Sequence, residues 1–190
     1  MALLKTDDTV SIIKMLESDA SCVSEETQAI IAKACEEKNT GLTVYPVMYD
    51  DHEVFGWYIF LNDNTSTDIP KDLTEIFEIA KKLGCQIIRL DDSGDIADEN
   101  SQATNTLAIN SRYISENTAT VLNGTTGPDA FDTFDIVVFP TAECDNNRQW
   151  FISFAHPNLE NEDIPGDLPD CLKLAAEKDC HMVYLYNDKT

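Results

Sequence analysis

Three histidines, six cysteines and thirty-five acidic residues are the side chains of this 190-residue chain that could do chemistry. His52 lies in an acidic turn, His156 precedes Pro157, and His181 falls in an apolar run. None stands at the i, i+4 spacing that would put two imidazoles on one helix face for a metal, so strand or surface histidines are the expectation. The cysteines form no C-x-x-C pair. A serine or cysteine nucleophile needs a base and an oxyanion hole. No G-x-S-x-G elbow is present, and Gly124-Thr-Thr-Gly127 lacks the lysine and the spacing of a phosphate-binding loop. Asp91-Asp-Ser-Gly-Asp95 is too short for an EF-hand and lacks its closing glutamate. Carboxylates are so abundant that any two could be named an acid/base couple, which empties that signal of meaning. The expectation is a protein that is not an enzyme, with no catalytic, cofactor-binding or metal-binding residues.

The acids are informative as an ensemble. Thirty-five against thirteen bases give a net charge of -22 and a pI near 4.1. Residues 1–100 carry 21 acids and 8 bases, and residues 101–190 carry 14 and 5, so the charge is not a tail. Such a chain has no basic stripe with which to release counterions from nucleic acid, and it would be repelled by an anionic membrane. A basic partner surface is favoured instead. The acids collect in the hairpin turns (Asp50, Asp51, Glu53; Glu143, Asp145), ahead of the second helices (Asp63; Glu160, Glu162, Asp163), and in the linker and the two residues leading into it (Asp91, Asp92, Asp95, Asp98, Glu99). Any one of them could be plain solvated surface. Together these fourteen are the candidate partner-binding residues. DNA carries one charge per ~1.7 Å of axis, and carboxylates on the loops of two related domains could imitate part of that rod.

The frame that would hold these loops is written twice. Trp57, Asp68-Ile-Pro-Lys-Asp-Leu73, Ala80 and Cys85 recur as Trp150, Asp163-Ile-Pro-Gly-Asp-Leu168, Ala175 and Cys180. The offset is 93 at the tryptophans and 95 thereafter, too long for a solenoid repeat and right for a duplicated small domain. Leu73, Ile76, Phe77 and Ala80, like Leu168, Cys171, Leu172 and Ala175, fall at i, i+3, i+4 and i+7, the stripe of a half-buried helix. Ser24 and Ser115 suit helix N-caps, Pro165 suits a first helical position, and Gly84 suits a left-handed stop. Strands are expected at 42–49, 56–61, 85–90, 106–110, 135–140, 149–154 and 180–186, with a poorly marked opening strand in 9–18. Each copy then reads strand, helix, strand, strand, helix, strand. That is the ferredoxin-like, split βαβ plan of the α+β class, most economically an antiparallel sheet with two helices on one face. The expected domains are 1–92 and 106–190, joined by an acidic linker at 93–105. A βαββαβ module can bind RNA, but neither copy has the basic, glycine-aromatic pattern that stacks bases.

No apolar run approaches the ~18 residues of a membrane span. The acidic start is no signal peptide, and unpaired thiols fit a reducing cytosol, so a cytoplasmic location in a bacterial host is expected. Ile114-Ser-Glu-Asn-Thr118, the strand around Trp150, and Ile164-Pro-Gly-Asp-Leu168 followed by Ala175 and Cys180 resemble a small domain of unknown function carried by plasmids and phages. The resemblance covers most of the second copy and, less well, the first. It implies a mobile-element setting, in which strongly acidic proteins are often antirestriction or anti-CRISPR factors. It assigns no functional residue.

The leading expectation is therefore a non-enzymatic inhibitor that occupies the basic nucleic-acid-binding surface of a bacterial defence complex. One alternative is an immunity protein or antitoxin that neutralises a basic toxin. Another is an acidic two-domain scaffold, dimeric through exposed sheet edges.

Overall fold

The computed structural model describes residues 10–37, 41–49, 53–61, 69–92, 97–98, 100–124, 136–140, 149–154, 164 and 166–187. Its first seven elements include β1 (Val10–Asp19), α1 (Glu25–Glu36), β2 (Thr43–Tyr49), β3 (Glu53–Phe60), α2 (Lys71–Leu83) and β4 (Ile87–Asp91). The same order follows in β5 (Ala103–Asn110), α3 (Glu116–Gly124), β6 (Ile136–Pro140), β7 (Trp150–Phe154), α4 (Leu168–Glu177) and β8 (Met182–Tyr186). A short 3-10 turn follows the opening strand each time, Ala20–Cys22 and Ser111–Tyr113. Asp19 and Asn110 cap these turns by accepting from the Ser21 and Arg112 backbone N–H groups.

The chain divides into two compact units. One is Ile13–Val47 with Val54–Thr104; the other is Asn105–Thr190 with Met1–Ile12 and Met48–Glu53. In the first unit the strand order is β2-β3-β4-β1. β4 runs antiparallel to β3, with Trp57 opposite Leu90, and parallel to β1, with Glu17 opposite Arg89. The predicted stripe of α2 is what that helix buries: Leu73, Ile76, Phe77 and Ala80. They pack with Ile31 and Ala34 of α1 onto Leu16, Ile59, Ile88 and Leu90 of the sheet. Each such side chain contributes about 1.5–3 kcal/mol when fully buried. Asp72 in the first turn of α2 and Lys81 and Lys82 in its last complement the helix dipole, and Gly84 ends it at φ 74°.

In the second unit the order is β5-β8-β7-β6. β8 is parallel to β5 and antiparallel to β7, which is antiparallel to β6. Leu168, Cys171, Leu172 and Ala175 of α4 form the predicted buried stripe, packed with Leu107, Ile109, Trp150 and Ile152. Pro165 lies outside the described residues; α4 begins at Leu168, with Pro169 in its first turn.

The expected fold class, two tandem ferredoxin-like βαββαβ domains with antiparallel sheets, is corrected by this strand order. The element order is as read, but the first and last strands of each set lie side by side and parallel, giving mixed sheets. The physical reason is the closing strand. All five residues of β4, and the first four of β8, are buried. A strand buried on both faces belongs inside a sheet, and a near-continuous apolar run is the mark of a parallel neighbour. The second faces are also covered: Met15, Tyr58 and Ile87 in one unit, and Phe139, Phe151 and Met182 in the other, are no more than 3% exposed.

Candidate functional site

The most organised polar groups stand where two helix N-termini meet, once in each unit. Ser24 caps α1: its hydroxyl accepts from the Thr27 backbone N–H at 3.2 Å and donates to the Thr27 hydroxyl at 3.0 Å. Asp72, in the first turn of α2, closes the cluster. It accepts from the Ser24 backbone N–H at 2.8 Å and from the Thr27 hydroxyl at 2.8 Å. Its own neighbour, the Leu73 N–H, donates to it at 2.9 Å. Partial burial pushes the Asp72 carboxyl up, but the bonds from Ser24, Thr27 and Leu73 outweigh it and hold it below the ordinary carboxylate range.

The second unit repeats this arrangement with Ser115, Thr118 and Asp167. The Ser115 hydroxyl accepts from the Thr118 backbone N–H at 3.2 Å. Asp167 accepts from the Ser115 hydroxyl at 2.9 Å, and also from the Ser115 backbone N–H and the Thr118 hydroxyl. Here too burial raises the carboxyl and the bonds from Thr118 and Ser115 lower it further. A serine beside an aspartate invites a catalytic reading, but the geometry opposes one. In the first unit the serine hydroxyl gives its proton to a threonine that passes its own to an aspartate held ionised. A depressed carboxylate saturated with donors is a poor base. The clusters tie helix ends together.

A cleft of about 680 Å³ opens beside the first cluster, lined by Glu26, Ile30, Ile69, Pro70, Lys71 and Glu75 as well as the cluster residues. Lys71 pairs with Glu75 at 3.7 Å, both highly exposed.

A second charged group lies on the sheet face opposite α1 and α2. Arg89 of β4 meets Asp91 at 2.5 Å and Glu17 of β1 at 3.8 Å, and its guanidinium lies 5.9 Å from the Tyr58 ring centre. Burial disfavours the Arg89 charge, but Tyr58, Asp91 and Glu17 outweigh it and raise its pKa. Asp91, expected to face a partner, is therefore turned inward, with its side chain 7% exposed. Its spacing of two from Arg89 explains this, because residues i and i+2 of a strand share a face.

Among the other candidate partner-binding residues, Asp92 and Asp98 are exposed. Asp98 organises a turn, accepting from the Asn100 N–H at 2.7 Å, while its own N–H donates to the Ser101 hydroxyl at 2.8 Å. Bonds from Asn100 and then Ser101 to its carboxylate lower its pKa. Glu53 opens β3, but its side chain is outside the described residues, as are Asp50, Asp51, Asp63, Asp95, Glu99, Glu143, Asp145, Glu160, Glu162, Asp163, His52 and His156. The loop-based reading overlooked the helices. Glu25, Glu26, Glu36 and Glu37 of α1 and its cap, with Glu75 and Glu78 of α2, are exposed, as are Glu116, Asp170 and Glu177 in the second unit. The signal was present in the periodicity: Glu75, Glu78 and Asp170 fall between buried stripe positions, and the others stand at the helix ends beyond them.

Among the described residues, no three His, Cys, Asp or Glu side chains are grouped to hold a metal ion, and no helix is long and apolar enough to cross a membrane. Residues 15–101 match the model of the C-terminal domain of a family of unknown function, DUF5983. The match spans β1 to the turn before β5. It supports the expected resemblance to a domain of unknown function and assigns no activity. No curated protein and no solved structure matches the chain.

Proposed function

We propose that the protein works by binding, without catalysis, to a basic surface that normally contacts nucleic acid. In its specific form it is a phage or plasmid inhibitor of a bacterial defence complex. One observation carries the reading: a net charge of -22 accompanied by exposed acids on all four described helices. Two features support it. The polar clusters that might have been catalytic are consumed in holding helix ends, and Arg89, the one buried cation described in the core, is already matched by acids. Outward negative charge is left to act at a distance. At physiological ionic strength it is felt over about 8 Å and speeds encounter with a positive groove.

The test is cleavage of a DNA target by a CRISPR effector and by a restriction enzyme, each with the purified protein in excess. Inhibition that weakens as salt is raised is expected. Undiminished cleavage by both would remove the proposal, and inhibition indifferent to salt would remove its electrostatic mechanism.

A further inference from the structure

We propose that the cleft between the N-terminal turns of α1 and α2 is a docking site for a basic peptide segment that presents an aliphatic side chain. The inference rests on the proposed function for the partner's positive charge, and goes beyond it by assigning a place and a second kind of contact.

The cleft is lined in part by apolar side chains, one of which, Ile30, the core does not use. Ile30 is 40% exposed, while its neighbour Ile31, with Thr27 and Ala34, supplies what α1 buries. Ile69 and Pro70, just ahead of α2, extend the same surface; both are half-buried, and Ile69 also packs against the core. An isoleucine exposed singly is ordinary. Here it lines a concavity of about 680 Å³, within the ~300–1,000 Å³ that binding sites commonly span.

The charge around that floor selects the occupant. Two helix N-termini converge on the cleft and would on their own attract an anion. Asp72 already fills that role from inside, accepting from Ser24, Thr27 and Leu73. What remains available is the pair of exposed rim acids, Glu26 and Glu75. Among the described residues Glu75 pairs with Lys71, in a solvent-exposed contact at 3.7 Å, and such pairs contribute little. A lysine or arginine of the partner can displace it at small cost. The favoured occupant has a leucine-like side chain over Ile30, Ile69 and Pro70, with a flanking cation at Glu26 or Glu75.

The second unit shows how the cleft differs from mere scaffold. At the matching positions it has Asn117 for Glu26, Gly166 for Lys71 and Val121 for Ile30, and Val121 is half-buried against the core. The tie of Ser, Thr and Asp is kept while the outer wall changes.

The probes are three short peptides of equal length: alternating Lys and Leu, alternating Lys and Ser, and alternating Glu and Leu. Each is titrated into the full-length isotope-labelled protein, with backbone amide shifts as the readout. Saturable shifts at Thr27, Ile30 and Glu75 are expected with the Lys–Leu peptide, and binding about tenfold weaker with Lys–Ser, the scale of one lost aliphatic contact. Ile30→Ser and Glu26→Gln/Glu75→Gln should each weaken Lys–Leu binding while leaving the melting temperature unchanged. Equal affinity for both lysine peptides, with shifts spread over the acidic helices and indifferent to Ile30→Ser, would overturn the cleft and leave the electrostatic function standing. Failure of both lysine peptides to bind would overturn the cleft too, and with undiminished target cleavage would take the proposed function with it. Preference for the Glu–Leu peptide would show that the helix N-termini, not the rim acids, set the sign.

Discussion

Replacing Asp72 by alanine removes the acceptor that ties the start of α2 to the start of α1. Two bonds from α1 are lost, from the Ser24 N–H and the Thr27 hydroxyl, both at 2.8 Å. A hydrogen bond to a charged group contributes roughly 1.5–3 kcal/mol, so the pair is worth about 3–6 kcal/mol at most. The loss is smaller because the Ser24 N–H lies on an exposed residue that water can reach, and the buried Thr27 hydroxyl keeps its bond from Ser24. The expected cost is about 2 kcal/mol, equivalent to a fall of roughly 4–8 °C in Tm for a chain of this size. The assay is circular-dichroism melting of both proteins from pH 7 to pH 3. Asp72 has a depressed folded-state pKa, so its contribution is present above the unfolded value of about 3.9 and is lost as pH falls through the lower folded value. The gap between the two proteins should therefore be constant above about pH 5 and close below pH 4. Thr27→Val should reduce stability too, and the double variant should lose less than the sum of the singles. A Tm within about 1 °C of the parent at pH 7, or a gap that persists unchanged at pH 3, would refute the reasoning.

Other perturbations have equally definite outcomes. Asp167→Ala should produce a comparable destabilisation with the same pH profile, since it accepts from Ser115 and Thr118 in the same way. Arg89→Met leaves Asp91 and its neighbour Glu17 without their buried cation. A loss of about 3–5 kcal/mol in urea unfolding is expected, with partial recovery when Asp91→Leu is added. Gly56→Ala would place a Cβ 2.0 Å from the Leu90 carbonyl oxygen and 2.6 Å from the Asp91 Cβ. β3 and β4 would have to part there, at a cost of about 3 kcal/mol measured in the same way. The Cys171 thiol is pushed up to about 12 by burial, with Asp167 and Asp170 adding to it. Thiol titration at pH 8 should find it unreactive until the protein is denatured; rapid labelling of Cys171 in the native protein would contradict its placement in the core.

What was legible in the sequence was local. The stripe from Leu73 to Ala80 and its twin from Leu168 to Ala175 could be read because helical periodicity depends only on near neighbours. Ser24 as a cap and Gly84 as a stop were legible for the same reason. The strand partners were not. Whether β4 lies beside β1 is decided by contacts between residues such as Met15 and Ile87, far apart in the chain. The available hint was the uncharged run Met182–Tyr186 of the second closing strand, which suits a central position better than an edge. Asp72 and Thr27 are each common residue types for a helix's first turn, and only their meeting, 45 residues apart, makes a cluster. Asp91 was misread because its charge was counted among the linker acids, when its place two residues after Arg89 put it on the cation's own face.

The central claim is that exposed carboxylates compete with nucleic acid for a basic groove. It is tested most directly by fluorescence anisotropy: a labelled target duplex is bound to a CRISPR effector or restriction enzyme, and the protein is titrated in at 50 and at 200 mM salt. Full displacement of the duplex is predicted, with the protein's own affinity falling steeply between the two salt concentrations. A duplex that stays bound at every concentration of the protein would contradict the claim.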